Sequence, residues 1–440
     1  MKKVLFYTSI PRGFCDVGIA YLYEIAKVQP VVLLSEELDP KTKKILHSKT
    51  LFPNLQKILP VHQFTKSNPN IFKKNGYLYT LAKNIIETEK PDVIVTSDDI
   101  YPFELYLLRL AKRKGIYTIA IQPSLHPETG EVRLYNILLD AHLRTPPWLP
   151  LFLRIGFVKV KRLAGHFLYY WILPFLMGEP PFKGQSSYIL WKGSPGLRDS
   201  DYYIVFSKRD YDLCVQEGVS KNKLRIIAHS LCRIHTRKFL ERNLLKENNA
   251  YRTTRKTLTF FYPSERIGIK KADYSLIPAQ EMQEKRERLL KIINEILSSW
   301  QIIVKPHPQT ENFMNLKTRL ESLSPNIRVA DPADRASHYI AVSNVIIGIP
   351  PVSTTLYTSS LQCPKKAILS INLYNELLGD LYKNFSGIDY IEEENDLIKT
   401  LKCLQENTYH KPSSALALSS QTFISVFQKL SHTNVSNISA

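Results

Sequence analysis

Across the first 125 residues the apolar positions follow two alternating rhythms. Continuous β-forming runs occur at "KKVLFYTS" (2–9), "PVVLLS" (30–35), around "ILPVHQF" (58–64), at "DVIVTS" (92–97) and at "YTIAIQP" (117–123). Between them lie stretches with apolar residues three and four apart: "VGIAYLYEIAKV" (17–28), "YLYTLAKNIIETE" (77–89) and "PFELYLLRLAKRKG" (102–115), the last ended by Gly115. Unbroken apolar strands separated by amphipathic helices predict a parallel sheet covered on both faces.

The rhythm restarts at residue 200. "DYYIVFS" (201–207), "KLRIIAHS" (223–230), "TLTFFYP" (257–263), 301–305, "NIRVAD" (326–331), "NVIIGI" (344–349) and "KAILSI" (366–371) read as strands. Helices are predicted at 208–218, 280–299, 336–343 and from Ser353 onward. The expected fold class is therefore α/β: two Rossmann-like domains facing a cleft, over 1–140 and 200–408, followed by a weakly ordered Ser- and Asn-rich tail at 409–440. In such sheets ligands sit beyond the carboxyl ends of the strands.

Residues 141–199 break the alternation. The stretch from Leu163 to Gly178 holds 16 residues without Lys, Arg, Asp or Glu, short of the roughly 20 that cross a bilayer. From Arg144 to Lys192 there are seven basic residues and a single acid, Glu179. Trp148, Trp171, Tyr169 and Tyr170 are side chains that favour a membrane interface, and Lys159, Lys161 and Arg162 suit anionic headgroups. The insert is expected to be helical and to attach the chain peripherally to an anionic membrane surface; a buried helical hairpin is the competing reading.

Composition adds limits. The formal net charge is +19 over 440 residues, but no zinc-finger spacing, RNP-type aromatic signature or basic helix joined to heptads accompanies it, so nucleic acid is not the expected partner. Five cysteines without a CxxC pair argue against a disulfide framework and favour a reducing, cytoplasmic setting; with the insert's expected attachment, the chain is expected at the inner face of the cytoplasmic membrane. The first residues read as a strand rather than a leader, because Thr8, Ser9, Pro11 and Arg12 interrupt the apolar run.

Three strand ends carry candidate chemistry. In "QIIVKPHPQT" (301–310) an apolar strand ends in Lys305 and His307, with Pro306 and Pro308 stiffening the turn. His307 there is either a satisfied turn residue or a donor to a phosphate oxygen, and Lys305 adds charge or structural support. In "NVIIGIPPVSTTLYTSSLQ" (344–362), Ser353, Thr354 and Thr355 open a helix, whose free amides and hydroxyls suit an anion; plain N-capping is the simpler role. In "VIVTSDDIYPFE" (93–104), Ser97, Asp98 and Asp99 follow a strand and Glu104 starts the next helix. These carboxylates either cap that helix or supply a general base, and the sequence does not choose among Asp98, Asp99 and Glu104. Gln122 and Ser124 follow the next strand as candidate acceptor contacts.

"KPHP" (305–308), Ser353-Thr354 after "VIIGI", "VTSDDIYPFELYLLRLAKRKGIYTIAIQ" (95–122) and "DYYIVFSKRDYDLCVQEGVSKNKLRII" (201–227) together resemble bacterial GT-B glycosyltransferases that build surface polysaccharides. The likeness is to capsular Kdo transferases, polysialyltransferases and CDP-glycerol glycerophosphotransferases, and it spans about 90–125 and 200–405. It implies an inverting transferase without metal or other cofactor. That enzyme would move a sugar from a CMP- or CDP-activated donor to a glycan or lipid-linked acceptor of capsule or lipopolysaccharide. His307, Ser353 and Thr354 would bind the donor phosphate, and Asp98 or Asp99 would activate the acceptor. The chain departs from the family pattern at Gln122-Pro123-Ser124, where Gln-His-Gly is frequent, at Thr358, where Glu is, and at Cys363, where Gly is. A catalytically degenerate membrane-associated glycan-binding scaffold and a nucleotide-sugar 2-epimerase are the alternative readings.

Overall fold

The computed structural model describes residues 2–8, 18–35, 38, 40–61, 71–97, 102–122, 129–179, 199–227, 255–263, 268–308, 310, 312–334, 336–349, 355–363, 366–373, 375–377, 382–383, 385, 387–410 and 424–425. The chain forms two compact units, each assembled from separated segments. One comprises Met1–Thr129, Val160–Lys238 and Leu418–Ala440, the other Gly130–Lys159 and Phe239–Ala417.

The first unit is built on strands β1 (Val4–Thr8), β2 (Val31–Ser35), β3 (Leu55–Pro60), β4 (Val93–Thr96), β5 (Tyr117–Ile121), β6 (Tyr202–Val205) and β7 (Leu224–Ile226). They lie in the order β3-β2-β1-β4-β5-β6-β7, all parallel. Strands β2, β4 and β5 are buried at every position, which is why their sequences are continuous apolar runs. At the sheet edge β3 exposes Gln56, Lys57 and Pro60. Helices Ile71–Glu89 and Pro102–Arg113 cover one face, and Leu78, Ala82, Ile85 and Ile86 meet Phe103, Tyr106, Leu107 and Leu110 at helical spacing.

The segment 200–227 was expected to open the second domain. It completes the first sheet instead: Ile119, Ala120 and Ile121 pair with Tyr202, Tyr203 and Ile204. The reason is a polar latch at the strand entry. The Asp201 carboxylate accepts from Thr118 N (2.9 Å) and Thr118 Oγ1 (2.8 Å), and Asp199 accepts from Arg109 Nε at 3.1 Å with both side chains largely buried. The end of the insert is tied to the same unit. Glu179 accepts from Arg113 Nη1 at 2.6 Å and from the Tyr79 hydroxyl at 2.9 Å.

The second unit has β8 (Thr257–Tyr262), β11 (Gln301–Pro306), β12 (Ile327–Val329), β13 (Val345–Gly348), β14 (Ala367–Ile371) and β15 (Asp389–Ile391) in a parallel sheet ordered β12-β11-β8-β13-β14-β15. Both sheets therefore have the doubly wound arrangement, with strand order reversing between β1 and β4 in one and between β8 and β13 in the other. Two further strands, β9 (Gly268–Ile269) and β10 (Leu276–Ile277), form an antiparallel pair. Residues 375–377 run against it: Lys270 bridges Glu376, Lys271 N donates to Asn375 O and Leu377 N to Ile269 O. The helix Thr129–Leu143 packs there through Tyr135 and Leu138 onto Ile269 and Leu377. That contact draws residues 130–159 into the second unit.

In the described part of the insert, residues 151–176 are helical, as expected. Helix Leu151–Phe167 runs through a π-helical turn, Leu168–Ile172, into Leu173–Leu176, with helical backbone angles at both junctions. Among the described residues no helix is long and apolar enough to cross a membrane.

Candidate functional site

The carboxyl edge of the second sheet gathers the chemistry. Pro306 is the last residue of β11 and stands opposite Tyr262 of β8. His307 N donates to the Tyr262 carbonyl at 3.0 Å, in step with Gln301 N to the Lys256 carbonyl at 2.9 Å, so the ladder to β8 runs one residue past Pro306. The turn is closed by Thr310, whose N and Oγ1 donate to the His307 carbonyl at 2.9 and 2.8 Å. His307 is half-buried and Pro308 exposed.

Lys305 is buried, and its Nζ donates to the carbonyls of Pro306 (2.8 Å) and Pro332 (3.1 Å). Of the two roles open to it in the sequence, these bonds are those of structural support. An ammonium group sharing its protons with two carbonyls holds the strand end and the loop after β12 together.

On the other side of β8, Gly348 ends β13 opposite Phe261. The chain after β13 therefore leaves the sheet at the same edge as His307, and two strand spacings put β11 and β13 about 10 Å apart. Ser353 and Thr354 lie outside the described residues; Thr355 is the first residue of helix Thr355–Gln362, and its carbonyl accepts from Ser359 Oγ at 2.7 Å.

In the first unit, Ser97 follows β4, its N donating to Tyr7 O at 3.1 Å. Glu104 is fully buried in the first turn of its helix and accepts from Ser97 Oγ at 3.4 Å. A carboxylate there offsets the positive end of the helix dipole, the capping role open to it in the sequence. Gln122 is buried, and its N donates to Ile204 O at 2.9 Å, so its backbone belongs to the sheet. Asp98, Asp99 and Ser124 lie outside the described residues. Of the insert residues expected to meet a membrane, Trp148, Lys159, Lys161 and Trp171 are exposed and Arg162 is half-buried.

Sequence reasoning missed a polar cluster at the edge that holds His307. Arg286 lies within the buried stripe Met282, Arg286, Leu289, Leu290 and Ile293 of helix Ala279–Ile296. Its guanidinium stands 5.4 Å from the centroid of the Tyr262 ring, and among the described residues its Nε and Nη2 meet no hydrogen-bond partner. Burial pushes the Tyr262 hydroxyl above its ordinary pKa, with Arg286 pulling the other way. Glu376, just past β14, is also buried. Burial pushes its carboxyl up to about 7, with Arg286 and Lys285 opposing the rise. The one signal in the sequence was an arginine at an apolar position of a helical repeat.

No family model matches the sequence, and no curated protein matches it. Solved structures do. UDP-GlcNAc 2-epimerase from Methanocaldococcus jannaschii is 13% identical, with a TM-score of 0.57 over 98% of this chain and 100% of that one. The Neisseria meningitidis UDP-GlcNAc 2-epimerase, bound to UDP-GlcNAc, is 11% identical, with a TM-score of 0.56 and the same coverage. UDP-N-acetylglucosamine 2-epimerase from Rickettsia bellii is 13% identical, with a TM-score of 0.52 over 94% and 92% of the two chains. At these identities the likeness establishes the fold: two Rossmann-like units, each with its own parallel sheet.

Proposed function

We propose that the chain acts on a nucleotide-activated sugar and transfers it to an acceptor, with the donor's phosphates held at the carboxyl edge of the second sheet. One observation supports this above the others: His307 and the hydroxyl-rich chain after β13 leave that sheet on either side of β8, beside the point where strand order reverses. In this reading the acceptor oxygen attacks the anomeric carbon while the bond from that carbon to the phosphate oxygen breaks. The electron pair stays on the phosphate. His307, the hydroxyls of Ser353, Thr354 and Thr355, and the free amides opening the helix hydrogen-bond the growing negative charge. The acceptor proton goes to a carboxylate; with Glu104 engaged at its helix start, Asp98 or Asp99 takes that role in this reading. The donor class we favour is CMP- or CDP-linked, and the acceptor a glycan or lipid-linked sugar of the cell envelope.

A second reading is epimerisation at C2 of a UDP-sugar, which the activity named for the solved neighbours favours. Product analysis by NMR separates the two. The purified chain is incubated with CMP-, CDP- and UDP-sugars, with and without a lipid-linked acceptor. Release of CMP or CDP together with a glycosylated acceptor, abolished in His307→Ala at unchanged circular dichroism, is the expected result. Acceptor-independent inversion at C2 of UDP-GlcNAc overturns the transferase reading in favour of the epimerase. Neither turnover nor binding with any donor refutes both and leaves a scaffold.

A further inference from the structure

The helix that follows Pro150 has an apolar face turned outward. Fifteen large apolar side chains stand exposed among the described residues, and ten of them lie between Phe152 and Leu176. They are not scattered. At 3.6 residues per turn, Leu153, Phe157, Val160 and Phe167 fall within an arc of about 80°. Further along, Trp171 and Phe175 are exposed, and the Phe167 and Trp171 rings stack with centroids 6.1 Å apart. The opposite side is anchored: Arg154 Nε donates to Ala141 O at 2.9 Å and to Thr145 Oγ1 at 3.1 Å, and Val158 packs on Ile137 and Ala141.

The charges are arranged around this face. Lys159 and Lys161 are exposed neighbours of Val160, so each is turned about 100° from the centre of the apolar arc, one on either shoulder. The only acid of the basic segment, Glu179, is buried against Arg113 and Tyr79 and presents no negative charge to an approaching surface. A water-exposed helix with an apolar front, lysines on both shoulders and no outward acid has the profile of a helix lying in the plane of a bilayer interface.

We propose that helix 151–176 is an in-plane docking surface for an anionic bilayer, seated through Leu153, Phe157, Val160, Phe167, Trp171 and Phe175 with Lys159 and Lys161 reaching the headgroups. The helix measures about 39 Å at 1.5 Å per residue. Lys159, Lys161 and Arg162 interrupt its length, so it lies along the interface and does not span. A second copy of this chain would also cover apolar side chains, but a like-charged copy places lysines against lysines. An anionic surface meets both shoulders with the opposite sign.

The test needs no donor sugar, so its outcome is independent of the transferase reading. The full chain is sedimented with vesicles containing phosphatidylglycerol and with vesicles of phosphatidylcholine alone. Expected is partition onto the anionic vesicles that weakens with salt. It should fall about 30-fold in Lys159→Gln/Lys161→Gln, each lysine near such a surface contributing about 1 kcal/mol. It should disappear in Phe157→Ser/Phe167→Ser/Phe175→Ser, whose exposed positions leave the fold intact by circular dichroism. Equal partition onto both vesicle types overturns the charge pairing. Absence of partition, or a dimer in solution that the triple serine variant dissolves, overturns the bilayer as the occupant.

Discussion

Glu376 offers a titration that can be followed in one unit of the molecule. Its side chain is enclosed behind the β9–β10 pair, its N donates to Asn372 Oδ1 at 3.2 Å, and an atom added at Gly268 would sit 3.3 Å from its Oε2. Burial lifts the carboxyl from an ordinary value of 4.5 to about 7. In the unfolded chain the same group ionises near 4.5, so between these two values the folded state holds more protons. Stability of the second unit therefore falls as pH rises through this window and levels off above 7. Moving a carboxyl that far is worth at most about 3 kcal/mol. Glu376→Gln keeps the shape without the proton, so it should match the wild type near pH 4.5 and exceed it by up to about 3 kcal/mol at pH 8. Trp300, buried in the second sheet's core, is the reporter once Trp148, Trp171 and Trp191 are replaced by Phe. Urea transitions followed by its fluorescence at a series of pH values give the two curves, and their difference cancels the other titrating groups. Parallel curves from pH 4.5 to 8 would refute the burial argument. A variant less stable than wild type at pH 8 would mean that an ionised Glu376 is held by Arg286.

Two other positions test the architecture. Asp199→Ala removes the carboxylate that the buried Arg109 pairs with and should cost the first unit about 3 kcal/mol, read as faster amide exchange over Tyr117–Ile121 with the Trp300 transition unmoved. At Gly268 a Cβ would lie 2.9 Å from Met282 Sδ and 3.0 Å from Ile277 Cδ1, so Gly268→Ala should destabilise the second unit by about 2 kcal/mol. Most of that loss should return when Met282→Ala opens the space, and additive losses would show that the crowding is elsewhere.

What was legible in the sequence was whatever local periodicity controls. "VIVT" and "YTIAI" declare buried strands because both faces are covered, and Leu78, Ala82, Ile85 and Ile86 declare a helix because one face is. Sheet membership is not local. Strand β6 was recognisable, but its place beside β5 rests on Asp201 meeting Thr118 and Asp199 meeting Arg109, contacts between residues some 80 to 90 positions apart. The two-residue strands β9 and β10 are shorter than any periodicity can register. The Arg286 and Glu376 cluster left only the apolar helical position of Arg286 as a trace, for a related reason: each residue has an ordinary surface identity, and only the packing of helix Ala279–Ile296 and the 375–377 chain against β8 and β9 buries them. At the candidate site the strand ends were readable from "IIV" and "VIIG", while the division of labour within 305–308 was not.

That division answers why a histidine stands between prolines beside a lysine. A histidine placed one residue earlier would sit within the strand, facing Tyr262 across the ladder. Pro306 occupies that slot and has no N–H to offer on the β12 side, while His307 N makes the last bond of the ladder to β8. The imidazole is thereby carried one residue past the sheet, where a ligand at the carboxyl edge would be met. Lys305 takes the carbonyl of Pro306 and ties it to Pro332 from the neighbouring loop, so the peptide preceding the histidine is restrained from below. Thr310 closes the turn from above through the His307 carbonyl. Three neighbours thus fix the backbone of one residue. If His307 holds the donor phosphate as proposed, a backbone this constrained lets its half-exposed side chain meet that phosphate without reorganising.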